Sequence, residues 1–163
     1  MKIISLLTGV LFLLLADATG ATAQTAPKTS GTADLINAQR YRFIAQTAIP
    51  MGGATRHLSG GDYDLTVSKD TVIAYLPYFG RAYSAPIGSG QGGIQFTSTK
   101  FDYVVTPTKK GGWDISIKPK DVQDVTQLNL SVSSAGYASL QVTSVNRQSI
   151  SFNGEVVKQR RRK

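Results

Sequence analysis

The chain has 163 residues, with 18 Lys and Arg against 10 Asp and Glu, one histidine and no cysteine. Disulfides and thiolate ligands are excluded, and a zinc site would have to draw nearly all its ligands from carboxylates. Of the net charge of +8, much belongs to the last six residues, where Lys158, Arg160, Arg161, Arg162 and Lys163 stand almost together. Counted along the chain, the charge therefore points to a basic tail and not to a basic binding face.

Residues 1–23 read as a secretory leader. Lys2 supplies the positive start, Ile3 to Ala16 is an apolar run broken only by Ser5, Thr8 and Gly9, and Ala21-Thr22-Ala23 has the small-x-small form of a cleavage site. The run is about 14 residues, short of the roughly 20 that span a bilayer. With no cysteine to carry a lipid, the expected product is exported, periplasmic or extracellular, without a membrane span and not a lipoprotein. It would begin at Gln24. Its remaining length of about 140 residues is enough for one domain with its own core.

Residues 24–31 form a small, polar, Pro-containing linker. A short helix is predicted over Thr32–Gln39, capped by Ser30 or Thr32, with Leu35, Ile36 and Gln39 on one face. Tyr41 to Ala45 opens a first strand, and Pro50 to Ala54 breaks it. From Tyr63 onward apolar residues alternate with polar ones in Tyr63, Leu65 and Val67; Phe101, Tyr103 and Val105; Trp113, Ile115 and Ile117; and Leu128, Leu130 and Val132. Thr71 to Leu76 reads as a strand stopped by Pro77, Ile94 to Thr99 as one that follows the long loop, Ala138, Leu140 and Val142 as the next, and Ile150, Phe152 and Val156 as the last. Trp113 is the expected core anchor. Lys109-Lys110-Gly111-Gly112 and Ser134-Ala135-Gly136 are predicted tight turns. The fold class is mainly β: an antiparallel meander of about eight strands forming a barrel, half-barrel or sandwich, with the short helix across one opening. The domain is expected to occupy 32–157, with 158–163 as a flexible basic tail.

The connection between Leu76 and Ile94 is the longest in the domain, and long connections often carry function. It holds Tyr78, Phe79, Arg81 and Tyr83, bounded by Pro77 and Pro86. Aromatic rings and arginine dominate binding hot spots, so these four are the candidate ligand-binding residues. The glycines at 88, 90, 92 and 93 do not make a phosphate cradle, because a strand follows where a helix N-terminus is needed. His57, with Asp62 or Asp64 to orient it, is the one arrangement that resembles a hydrolytic centre, but no serine has a nucleophile-elbow setting. No catalytic set, metal site or cofactor motif is expected.

The block Leu76-Pro77-Tyr78-Phe79-Gly80-Arg81-Ala82-Tyr83-Ser84-Ala85-Pro86 resembles an uncharacterised family of secreted bacterial proteins, a domain of unknown function. Gly111-Gly112-Trp113, Asn129 to Ser133 and Asn146 to Phe152 extend the resemblance across about residues 32–156. It implies an exported β domain and transfers no activity, ligand or catalytic residue. The function expected is a non-catalytic module of the cell envelope binding a small apolar ligand or an envelope protein, and not nucleic acid. The alternatives are a hydrolase using His57 and a small outer-membrane β-barrel.

Overall fold

The structure, a computed structural model, describes residues 29–83 and 92–159. Residues 1–28, where the leader and most of the linker are expected, residues 84–91 of the long connection and residues 160–163 lie outside that description.

Helix α1 (Thr29–Asn37) starts earlier than predicted, inside the expected linker. Gln39 ends it in the left-handed region at φ 49°. The Gln39 amide donates to Ile36 O and the Arg40 amide to Leu35 O, a Schellman turn made without glycine. Ile36 is fully buried and Leu35 half-buried, so the predicted apolar face is the one that packs, against the last strand.

Among the described residues ten strands follow: β1 (Tyr41–Pro50), β2 (Arg56–His57), β3 (Asp64–Val67), β4 (Val72–Leu76), β5 (Ile94–Ser98), β6 (Phe101–Pro107), β7 (Trp113–Pro119), β8 (Val125–Val132), β9 (Tyr137–Ser144) and β10 (Ile150–Lys158). They pair antiparallel in the order β5-β4-β3-β1-β10-β9-β8-β7-β6, with β2 a spur on β1. The two ends of this path, β5 and β6, are neighbours in the chain, separated by Thr99 and Lys100. The stretch 94–107 therefore acts as one bent strand, pairing with β4 through its first half and with β7 through its second. Counted so, the barrel has about eight strands, an even number that lets every neighbour run antiparallel.

The register shows how steeply the strands lean. A line across the sheet from Pro107 passes Trp113, Val132, Ala138, Gly154 and Ala45, then Tyr63 and Leu76, and arrives at Ile94. It has returned to the same bent strand about a dozen residues upstream, a large stagger for a barrel of this strand number. The bend is held by Asp121, whose carboxylate accepts from the Ser98 and Thr99 hydroxyls and from the Thr99 and Lys100 amides. Led by the Ser98 hydroxyl and the Thr99 amide, these donors lower the Asp121 pKa to about 2.

Inward positions carry Tyr41, Phe43, Leu65, Leu76, Ile94, Ile115, Ile117, Leu128, Leu130, Leu140 and Phe152, all fully buried. Outward positions on the same strands are mostly Thr, Ser, Asn, Gln, Asp and Lys. That is the reverse of a barrel that meets lipid tails, which needs an apolar outer belt. Trp113 departs from its expected role: it packs on the core but is only half-buried. It is the first residue of β7, where neighbouring β6 ends at Pro107, so one side of the ring has no strand beyond it. Gly111 takes φ 78° in the β6–β7 turn, as the predicted hairpin requires.

Up-and-down connectivity sorts the connections onto two rims. One rim, here the terminal rim, carries the α1–β1 junction, the β3–β4, β6–β7 and β8–β9 turns and the end of β10. The other, the loop rim, carries the longer β1–β3 and β4–β5 connections together with β7–β8 and β9–β10.

Candidate functional site

The four candidate residues lie on the loop rim, and the structure divides them. Tyr78 turns inward. Its hydroxyl lies 2.8 Å from Arg81 O and 3.0 Å from Gln148 O, so its one proton is shared between a backbone acceptor of its own connection and one of the β9–β10 connection. Burial raises its pKa, against the opposing pull of the nearby Arg147 cation. Arg147 lies over the ring at 5.2 Å from its centroid. A Cβ at Gly80 would meet the Tyr78 hydroxyl at 2.5 Å, so a side chain there would have to push that ring away from its acceptors. Main-chain bonds complete the attachment: the Tyr83 amide donates to Asn146 O, the Gln148 amide to Arg81 O, and Ala82 pairs with Arg147 as an isolated bridge.

Arg147 is the hub beneath. It is 7% exposed, donates to Gly93 O at 2.9 Å, and its Nε lies 3.1 Å from Asp124 Oδ2. That last contact is an ion pair by distance but too poorly aligned to count as a hydrogen bond. Through this one side chain the β4–β5, β7–β8 and β9–β10 connections are tied together. Neither Arg147 nor Asp124 stands out in the sequence. Their partners are far away in the chain, and no local pattern announces a buried pair.

The other three candidates point outward. Phe79 is 39% exposed and has Arg56 over its ring at 4.8 Å. Arg81 is exposed and has no ion-pair partner among the described residues. Tyr83 is 71% exposed. Two exposed apolar residues that the sequence did not single out, Met51 and Val145, lie on the same rim. Met51 and Phe79 line a shallow recess of 420 Å³ with Arg81 and Gln148. The rim thus presents apolar side chains around a guanidinium that no described carboxylate neutralises, on a segment fixed from below.

Among the described residues no hydrogen bond or ion pair joins His57 to Asp62 or Asp64. His57 is exposed on β2, while the Asp64 carboxylate is taken by Arg42, at 2.9 Å from Nε, and by the Thr66 hydroxyl at 2.7 Å. The hydrogen bond with Asp64 raises the Arg42 pKa. Among the described residues no group of three His, Cys, Asp or Glu side chains is placed to hold a metal ion, and no helix is long and apolar enough to cross a membrane.

These features define a class: a small, steeply staggered antiparallel barrel with an apolar interior and an aromatic-arginine loop pinned to one rim. The chain belongs to a family described as a domain of unknown function (DUF4251), whose model matches residues 23–156. Among solved structures it is similar to a DUF4251 family protein from Bacteroides eggerthii DSM 20697, at 13% identity and a TM-score of 0.59, over 80% of this chain and 87% of that one. At that identity the likeness speaks for the fold alone. No curated protein matches the chain.

Proposed function

We propose that this protein is an exported, non-catalytic module of the cell envelope that binds a partner protein through its loop rim. The observation that carries the reading is the division of labour in the 77–83 segment: Tyr78 is bonded inward while Phe79, Arg81 and Tyr83 face solvent. Aromatic side chains lose little rotamer entropy on contact, and arginine offers a rigid fork of donors. A fixed backbone beneath them lowers the ordering cost of binding. A small apolar ligand is a second reading. It would enter at the opposite rim, where Phe101, Tyr103 and Trp113 are only half-buried and the Tyr103 hydroxyl lies 3.2 Å from that of Tyr41.

The test is site-specific photocrosslinking in the producing cell. A benzophenone side chain at position 83 should give a discrete protein adduct, and the same probe at exposed Val104 on the barrel wall should not. Arg81→Ala should suppress the adduct. Identical patterns at 83 and 104 would overturn the partner reading, and capture of a fluorescent fatty acid by the purified domain would favour the second. Fractionation checks the export: the exported pool should begin near Gln24, and a cell containing only chain that starts at Met1 would refute it.

A further inference from the structure

The geometry points to a binding site for a neutral sugar chain on the outer wall of the barrel, over β3, β4 and β5. The site is separate from the loop rim and does not rest on the partner reading. Outward positions on the barrel wall are mostly polar, and β4 departs from that pattern. Ile73 is 41% exposed and Tyr75 43%, two positions apart on one face. On no other described strand do two large apolar side chains stand exposed together. Single exposed apolar residues need no explanation, but grouped ones mark binding surfaces.

The register sets polar groups on both sides of this pair. Tyr75 lies between Asp64 on β3 and Gln95 on β5, and Ile73 lies between Thr66 and Thr97. Arg42 on β1 is opposite Thr66. Side chains directly opposed across antiparallel strands sit about 5 Å apart. With Asp62 they line a groove of 740 Å³, a size that suits a small ligand.

The groove is braced from within the protein. Tyr63 stacks on Tyr75 with 5.8 Å between ring centroids and 12° between planes, which holds the platform ring in one orientation. Arg42 and Thr66 fix the Asp64 carboxylate, and Arg42 is held in turn by Gly61 O at 3.1 Å. Groups fixed in advance lower the ordering cost of binding. Asp62, Gln95 and Thr97 make no side-chain hydrogen bond or ion pair with the described residues, so their polar atoms are open to a ligand.

The chemistry of these groups selects the ligand. A sugar ring has a face of C–H groups that suits an aromatic platform, and a rim of hydroxyls that both donate and accept. Asp62 accepts, while the Gln95 amide and the Thr97 hydroxyl do both. Of the charges that line the groove, Arg42 and Asp64 neutralise each other and Asp62 is left over, which disfavours an anionic ligand. A wholly apolar ligand would cover the polar groups without pairing them. An extended peptide finds no free ladder here, because β4 is already paired with β3 on one side and β5 on the other.

Saturation-transfer NMR of the chain from Gln24 tests this with cellotetraose and chitotetraose as neutral probes and tetragalacturonate as the anionic one. Transfer to the ring C–H protons of at least one neutral sugar is expected, and less to tetragalacturonate. Tyr75→Ala should weaken binding by roughly tenfold or more. Gln95→Ala trims an exposed side chain and should weaken binding severalfold with the melting temperature unchanged. Tyr75→Ala also loses the Tyr63 stack, so a circular dichroism melt accompanies it, and Gln95→Ala carries the test if that variant is unfolded. Tyr137→Ala on β9 and Arg81→Ala on the loop rim should leave sugar binding intact, which keeps this result distinct from that of the rim. No transfer to either neutral sugar, a preference for tetragalacturonate, or undiminished binding by Gln95→Ala and folded Tyr75→Ala would each overturn the inference.

Discussion

The two rims of this barrel solve opposite problems with the same strands. The terminal rim is made of tight turns that leave lysines free in water, and its bonds are the ordinary ones of hairpins. The loop rim is made of long connections that would wander without fastening, and it is fastened by a buried arginine, an inward-turned tyrosine hydroxyl and a carboxylate clasp. A short turn needs only a glycine at the right dihedral angle. A long connection needs side-chain partners, because its backbone groups have no ladder to join. The consequence is that mutations on the loop rim should separate sharply into those that loosen the fold and those that only change the exposed surface.

The largest effect is expected at Arg147. Replacement by alanine removes the bond to Gly93 O and the stack on Tyr78, and leaves the Asp124 carboxylate without its cation. Breaking a buried pair on one side costs about 3 kcal/mol. Urea denaturation should show that loss as a lower midpoint with an unchanged slope. A midpoint equal to the parent protein would mean the three connections do not depend on this side chain.

Tyr78 comes next and tests the same fastening from above. Tyr78→Phe keeps the ring under Arg147 and removes the hydroxyl that reaches Arg81 O and Gln148 O. A loss of about 1 kcal/mol is expected, and Tyr78→Ala should lose more. If Tyr78→Phe cost nothing, the loop would be held by its backbone bonds alone.

These residues also mark what the sequence did and did not reveal. Alternation placed β3, β6, β7 and β8 to within a few residues, because a barrel with a dry inside and a wet outside writes its period into the chain, while β4, with Ile73 and Tyr75 on its outer face, was marked by its apolar run and by Pro77 after it. It gave β1 only to Ala45, since the Ala45/Thr47 bulge interrupts the alternation there. The candidate loop was visible by its length and its aromatics, but which of them turn inward was not. That depends on Gln148 and Arg147, some seventy positions away. The groove over β4 was hidden for a similar reason. Arg42, Asp64, Tyr75 and Gln95 are scattered along the chain, and only the strand order gathers them.

Asp121 extends the comparison to pH. Its folded pKa of about 2 lies below the roughly 3.9 of a free aspartate, so the carboxylate is the form that the Ser98, Thr99 and Lys100 donors stabilise. A depressed pKa gives a contribution fully present above about pH 4, which fades as the pH falls through about 2. Asp121→Asn should lower the melting temperature at neutral pH, and the gap to the parent protein should narrow steadily under acid. A gap that stayed constant down to about pH 2 would show that the charge of the clasp does not matter to the bend at Thr99–Lys100.

Arg81 should show the smallest effect on stability, and it completes the separation. Its backbone oxygen accepts from Tyr78 and from the Gln148 amide, but its side chain is exposed and without an ion-pair partner among the described residues. Arg81→Ala keeps the backbone acceptor and removes only the guanidinium. Surface changes of this kind stay within about 0.5 kcal/mol. The same substitution should sharply reduce the adduct formed from position 83. Tyr78→Phe should reduce it only as far as it loosens the segment, so cooling should restore the adduct in that variant and leave Arg81→Ala deficient. If Arg81→Ala destabilised the domain as much as Arg147→Ala, the guanidinium would belong to the fastening, and the outward face of the loop would lose its strongest argument as a binding surface.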